Sequence, residues 1–217
     1  MRNVVKIGAT CLAICMMFSG CKDPNDDPNN PDNPDKPNVG EKYFTVKAGT
    51  VVYRNYNEIS QEWYSCTIMF DDYGKKIRLE GEPDENGVIG VFINNETTGK
   101  GYVFTIGGES LPIYSEVNQD ALLPTYKWKG FNEHLLPGYK QEPNRTIAGK
   151  VCSVYSIGNG TVKNYDAGWN EIRFYFGGEL SDPTQGKMEA VSFSDAVPSA
   201  DKFLPPTGYT KVSAPLR

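Results

Sequence analysis

The sequence predicts a mainly β domain built as an antiparallel sheet, and two observations carry this prediction. Apolar and polar residues alternate with a period of two in several segments, which is typical of strands with one buried face. Clusters of Asp, Asn and Gly separate these segments and indicate tight turns. The span 43–217 has the length of one ordinary domain, and a chain of that size buries roughly 70% of its unfolded surface without needing a disulfide bond.

The clearest alternation runs from Trp63 to Phe70. Tyr64, Cys66, Ile68 and Phe70 share one face there, and Trp63 lies on the other. Residues 71–74, Asp-Asp-Tyr-Gly, then predict a hairpin turn in which Gly74 takes a left-handed conformation, because glycine has no Cβ to clash. A returning strand is predicted at 75–80.

Further strands are predicted at 44–56, 88–94, 100–106, 147–157, 170–177 and 187–194. The turn signals between them lie at 84–87, 107–108, 158–160 and 177–178. Four prolines interrupt the stretch 109–145, which predicts short helices at 115–123 and 127–136 instead of strands.

The first twenty residues are typical of a secretory leader. Arg2 and Lys6 precede an uncharged run at 7–20 that is too short to span a bilayer, and Ser19-Gly20-Cys21 ends it. This arrangement predicts a bacterial lipoprotein signal at 1–20, cut before Cys21, which becomes the lipidated first residue. The alternatives are a secretory signal without lipidation and a buried helix. Several acyl chains on Cys21 would hold the protein firmly on the outer membrane.

Residues 21–42 are predicted to be an acidic, Pro- and Asn-rich tether that cannot form a core. A Pro-rich chain extends about 3.1 Å per residue, so the domain at 43–217 can stand well away from the membrane. The acids after Cys21 resemble the export signal of Bacteroidota surface lipoproteins and favour display at the cell surface, with the periplasmic face as the alternative. A calcium loop is the other interpretation of these acids, but the EF-hand order is missing.

Charge and chemistry exclude several classes of function. Removal of Arg2 and Lys6 with the leader leaves 20 basic against 27 acidic residues, a net charge of −7, which argues against nucleic acid as a partner. The single histidine, His134, has no nucleophile motif around it, and neither paired cysteines nor paired histidines at zinc-site spacing occur. We therefore predict no catalytic residue, no metal site and no cofactor, with a hydrolase as the weakest alternative.

Two cysteines, Cys66 and Cys152, remain in the domain. Both fall on predicted strands with apolar neighbours, where a cysteine behaves as a small buried hydrophobe. We expect two buried thiols in preference to a disulfide, because strand geometry rarely brings two given Cβ atoms within about 3.5–4.5 Å.

Four segments in order resemble a group of uncharacterised envelope proteins common in Bacteroidota. They are 70–76 (FDDYGKK), 146–155 (TIAGKVCSVY), 189–193 (EAVSF) and 203–209 (FLPPTGY). The fold of that group is similar to the lipoprotein carriers LolA and LolB. The resemblance implies a strongly curved half-barrel with short helices or loops over its concave face, and in the carriers that face binds acyl chains.

Aromatic residues are the remaining candidates for binding. They make up 12% of the chain, and most are expected in the core of the sheet. Trp128 and Trp169 lie near Pro- and Gly-rich connections, where an exposed ring can meet a ligand; packing in the core or at its rim is the alternative.

Two functions follow as hypotheses: non-catalytic binding of a lipid or other hydrophobic ligand, and a surface-displayed module that binds protein or glycan.

Overall fold

The computed structural model describes residues 42–57, 60–117, 128, 138–159, 162–179 and 186–213. It confirms the mainly β prediction, with one sheet of twelve strands that does not close into a barrel. The strands are β1 (Gly49–Asn57), β2 (Glu62–Asp71), β3 (Lys76–Gly81), β4 (Ile89–Asn95), β5 (Lys100–Ile106), β6 (Ile113–Val117), β7 (Lys140–Ile147), β8 (Lys150–Asn159), β9 (Val162–Trp169), β10 (Ile172–Gly177), β11 (Gly186–Ser194) and β12 (Thr210–Val212).

The sheet order is β12-β6-β5-β4-β3-β2-β1-β11-β10-β9-β8-β7. All neighbours pair antiparallel except β12, which runs parallel to β6. β1 pairs with β11, so strands β1–β6 and strands β7–β11 meet near the middle of the sheet. Both edge strands are largely exposed.

The sheet is strongly curved. Three strands separate β7 from β11 in the sheet order, yet the two approach each other directly. Register irregularities in four strand pairs, β1–β11, β10–β11, β9–β10 and β7–β8, supply local bends, as β-bulges do.

One face of β1–β3 carries the main core. Val51, Tyr53, Cys66, Ile68 and Phe70 alternate on this side and are at most 3% exposed. We call this side of β1–β6 the inner face. Residues 43–48 have no regular structure and cover part of it, since the Phe44 ring packs edge-on against Phe70 at 4.9 Å.

A second core lies on the opposite, outer face of β3–β6. It joins Val91, Ile93, Tyr102 and Phe104 to Phe203 from a short 3-10 turn at Ala200–Phe203. The segment 200–209 therefore covers part of the outer face, while the main core lies on the inner one.

Four strands differ from the predictions. Residues Ser115–Val117 belong to β6, so the helix predicted at 115–123 is wrong at its start; its remainder, and the helix at 127–136 apart from Trp128, lie outside the described residues. The chain forms β7, β9 and β12 where no strand was expected. The strand predicted at 147–157 is present as β8 but begins three residues later, because Ala148 and Gly149 form a two-residue turn with positive φ between β7 and β8.

Candidate functional site

The inner face of β3–β6 carries no charged side chain. Strand register places its residues as Ile77 and Leu79 on β3, Phe92 and Asn94 on β4, Val103 and Thr105 on β5, and Ser115 and Val117 on β6, with glycines between them. All five charged residues of these strands lie on the other face, namely Lys76, Arg78, Glu80, Lys100 and Glu116. The inner face is therefore apolar with a few neutral polar groups.

Most side chains of this part of the inner face are buried, and two valines are the exceptions. Val103 and Val117 pack against the main core but remain partly exposed. The outer face of the same strands is occupied: Arg78 donates to the Lys202 carbonyl at 3.0 Å, and the Tyr209 hydroxyl donates to the Thr105 carbonyl at 2.8 Å. A ligand on these strands would therefore use the inner face.

Asn94 is the exceptional residue of this surface. Its side chain is fully buried, and neither its Nδ2 nor its Oδ1 atom has a hydrogen-bond partner among the described residues. Its cross-strand neighbours are Ile77 and Gly101, which offer no side-chain hydrogen bond. Leaving a buried polar group unsatisfied costs about 1–3 kcal/mol, so such a group in a native protein calls for an explanation.

The adjacent Asn95 shows the ordinary alternative. It points to the outer face, where its Nδ2 donates to the Phe203 carbonyl at 3.1 Å. The two asparagines therefore differ. Asn95, on the outer face, holds the segment around Phe203, and Asn94, on the inner face, lies among apolar residues.

The two thiols lie in the main core, as predicted. Cys66 and Cys152 are buried, and no disulfide joins them in the described chain. Asn55 Nδ2 lies 3.2 Å from Cys66 Sγ. Burial raises the pKa of the Cys152 thiol from 9.0 to about 11, so it stays protonated at neutral pH. A protonated, buried thiol is a poor nucleophile, which favours a structural role for Cys152.

Tyr53 joins the two halves of the sheet. Its hydroxyl donates to the Arg173 carbonyl on β10 at 2.8 Å. Burial is the main reason that the pKa of Tyr53 is raised well above its ordinary value, and Cys66 and Cys152 add to that effect.

A buried ion pair lies under Trp128. Asp166 is 2% exposed, and its Oδ1 accepts hydrogen bonds from Arg173 Nε at 3.0 Å and from Trp128 Nε1 at 3.1 Å. Burial raises the pKa of Asp166, while Arg173 opposes that shift. The indole packs directly over Gly168, where a Cβ would lie 2.2 Å from the ring. This network fixes Trp128 to β9 and β10.

The packing of the three tryptophans decides between the two interpretations of the aromatic candidates. Trp128 is 3% exposed and belongs to the interior. Trp169 is half-buried against Phe174 and Phe193, with the Lys150 ammonium 4.7 Å from its ring centroid. Both therefore fit the packing interpretation better than an exposed platform. Trp63 lies on the outer face, so Tyr64, Cys66 and Phe70 line the inner one.

The remaining predicted residues lie in turns or outside the described residues. The Oδ1 of Asp84 accepts the backbone N–H groups of Asn86 and Val88, which confirms turn capping. Cys21, the tether and His134 are outside the described residues.

Among those that are described, no three His, Cys, Asp or Glu side chains are grouped as metal ligands. No helix in this part of the chain has the length and hydropathy of a membrane span.

Comparison with known proteins adds little. No protein-family model matches the sequence, and no curated protein matches it. The fold is distantly similar to the crystal structure of an uncharacterized conserved protein from Thermus thermophilus, at 9% identity and a TM-score of 0.46, over 78% of this chain and 92% of that one. A likeness of this degree carries no argument about fold or function.

Proposed function

We propose that this protein is a lipid-anchored outer-membrane protein whose domain binds a hydrophobic ligand, without catalysis, on the inner face of β3–β6. The observation that carries the proposal is the uncharged inner face of these strands, where Val103 and Val117 remain partly exposed. Ligand sites in proteins are concave and mostly apolar, with few polar groups that orient the ligand. The resemblance to envelope proteins of lipoprotein-carrier type supports the same class of ligand.

Lipid analysis of the native protein tests this function. The full-length protein is extracted from membranes in mild detergent, and native mass spectrometry measures any co-purified lipid. We expect bound lipid in the wild type and in V151E, where Val151 is 63% exposed, but much less in V103E. Absence of lipid from the wild type, or equal amounts in all three proteins, would contradict the proposal.

The anchor is tested separately at Cys21. The Cys21→Ala variant lacks the thiol at the predicted cleavage site, so we expect it to lose acyl labelling and to be released or left unprocessed. Firm membrane attachment with the acyl label intact would show that Cys21 is not the lipidated residue.

A second function, a surface module for glycans or proteins, is favoured by one patch on the outer face. Tyr56 and Trp63 lie 5.3 Å apart there, the Arg54 guanidinium lies 5.0 Å from the Trp63 ring, and Glu189 pairs with Arg54. Aromatic rings beside charged hydrogen-bonding groups are common in interaction hot spots. Glycan-array binding or crosslinking that is lost in Trp63→Ala but retained in V103E would favour this function over lipid binding.

A further inference from the structure

The Asn94 side-chain amide has a donor nitrogen, Nδ2, and an acceptor oxygen, Oδ1, and the side chains around it on these strands are uncharged. Both atoms are buried without a partner among the described residues. Both cross-strand neighbours, Ile77 and Gly101, lack polar side-chain atoms. A group that fits this amide must accept a hydrogen bond from Nδ2 and donate one to Oδ1.

The charges of the surrounding strands restrict that group further. Every charged residue of β3–β6 lies on the outer face, and Arg78, the most deeply buried of them, already binds Glu80 and the Lys202 carbonyl. A phosphate or carboxylate placed beside Asn94 would therefore be buried without a cation from these strands. Burial of an uncompensated charge costs far more than burial of a neutral group that is hydrogen-bonded.

We propose that Asn94 binds the uncharged hydroxyl-bearing head of an aliphatic ligand, such as a long-chain alcohol or a glyceride. The proposal rests on the proposed function, since it assigns the ligand chemistry of that same surface. The hydroxyl accepts from Nδ2 and donates to Oδ1, while the aliphatic chain lies along the apolar residues of β4–β6. Val103 and Val117, on the same face, are positioned to contact the chain.

A competition experiment measures this preference. Full-length protein is delipidated and incubated with equal amounts of 1-decanol, decanoate at pH 8 and decane, and native mass spectrometry reads which probe is bound. We expect the wild type to prefer decanol over both others by about tenfold or more, because a site built for hydrogen bonding disfavours ligands that leave its groups unpaired or bury a charge.

Variants at Asn94 test whether this side chain causes the preference for decanol. Asn94→Val removes the amide, and Asn94→Ala does so without added bulk if the valine variant folds poorly. We expect either variant to bind decanol and decane with similar affinity. Asn164→Leu on β9 makes a comparable change away from the site and should keep the wild-type preference.

The outcomes separate the two proposals. No binding of any probe to the wild type would overturn the proposed function and this inference together. Binding of all three probes with equal affinity, or a decanol preference that persists in the Asn94 variants, would overturn the role of Asn94 and leave the hydrophobic site standing. A preference for decanoate would overturn the inference by showing that the ligand is an anion.

Discussion

At the scale of single residues, glycines decide how closely other groups approach the sheet. Gly168 is the clearest case, because the Trp128 ring occupies the space where a Cβ would lie. Gly90 on β4 is its opposite, with no heavy atom within 4 Å of a Cβ built there. Substitution by alanine at the two positions therefore compares an added Cβ that meets the indole with one that meets nothing.

We expect Gly168→Ala to destabilise the domain by about 2 kcal/mol or more, because the indole must move and its bond to Asp166 is strained or lost. Gly90→Ala is expected to be close to neutral. Urea denaturation measures both, and tryptophan fluorescence reports greater solvent exposure of the indole. Equal stability of the two variants would mean that Trp128 does not pack on β9.

Cys152 allows a prediction about pH. Its pKa is about 11 in the folded protein and 9.0 when unperturbed, so the folded state binds more protons than the unfolded state between these values. The free energy of unfolding should therefore fall as pH rises from about 9 to 11, since ionisation favours the unfolded chain. Cys152→Ala should lose that part of the pH dependence.

Alkylation at pH 8 gives a second readout of the thiols. We expect Cys66 and Cys152 to resist iodoacetamide in the native protein and to react fully after denaturation, because both are buried. Rapid modification of the native protein, or a linked peptide without reduction, would contradict this assignment.

The burial of single residues was predicted correctly where apolar and polar residues alternate along a strand. It was not predicted for polar residues. The burial of Cys66 followed from its place between Tyr64 and Ile68. The burial of Asn94 and Asp166 did not, because a polar residue in a sequence normally indicates solvent exposure. Only tertiary packing, such as Trp128 over β9, buries these groups.

At the scale of elements, hairpins with one buried face were predicted well. The turn after β2 has positive φ at Asp72, Tyr73 and Gly74, which confirms the left-handed conformation expected for Gly74. The structure adds a contact that the sequence did not indicate: a Cβ at Gly74 would lie 2.8 Å from the Phe44 ring.

Gly74→Ala and Gly99→Ala separate conformational strain from this contact. Both glycines have positive φ, 87° and 68°, but a Cβ at Gly99 meets nothing within 4 Å. We expect Gly99→Ala to cost about 1 kcal/mol from backbone strain alone, and Gly74→Ala to cost about 1–3 kcal/mol more because Phe44 must move. Chemical denaturation with similar losses for both variants would contradict the contact with Phe44.

Three strands that sequence reasoning missed, β7, β9 and β12, lack the local pattern that predicts a strand, each for its own reason. The edge strand β7 is mostly exposed on both faces, so it has no apolar alternation, and its register irregularity between Glu142 and Arg145 accommodates Pro143. β9 buries Tyr165, Asp166, Ala167 and Gly168 in succession, which also removes alternation. Three residues of β12 pair in parallel, a contact that local sequence does not encode.

At the scale of the whole molecule, the described chain begins at residue 42, next to the boundary predicted between the tether and the domain. Tyr43 and Phe44 are 2% and 1% exposed, and both backbone N–H groups lie 3.0 Å from the Tyr73 carbonyl. The Tyr43 hydroxyl also bonds Glu96. Tyr43 and Phe44 are therefore the first of the described residues to pack into the core, and the domain boundary at residue 43 stays a prediction.

Two truncations test this boundary. A chain that begins at residue 42 keeps the described contacts of Tyr43 and Phe44, so we expect the same free energy of unfolding as for the chain that includes residues 21–41. A chain that begins at residue 46 exposes the inner face around Phe70 and should lose about 3–5 kcal/mol or fail to fold, which is the usual cost of deleting a buried aromatic side chain. Phe44→Ala in the longer chain is the control that separates side-chain loss from chain shortening. Equal stability of the two truncated chains would place the boundary after residue 45 and show that the core does not depend on residues 42–45.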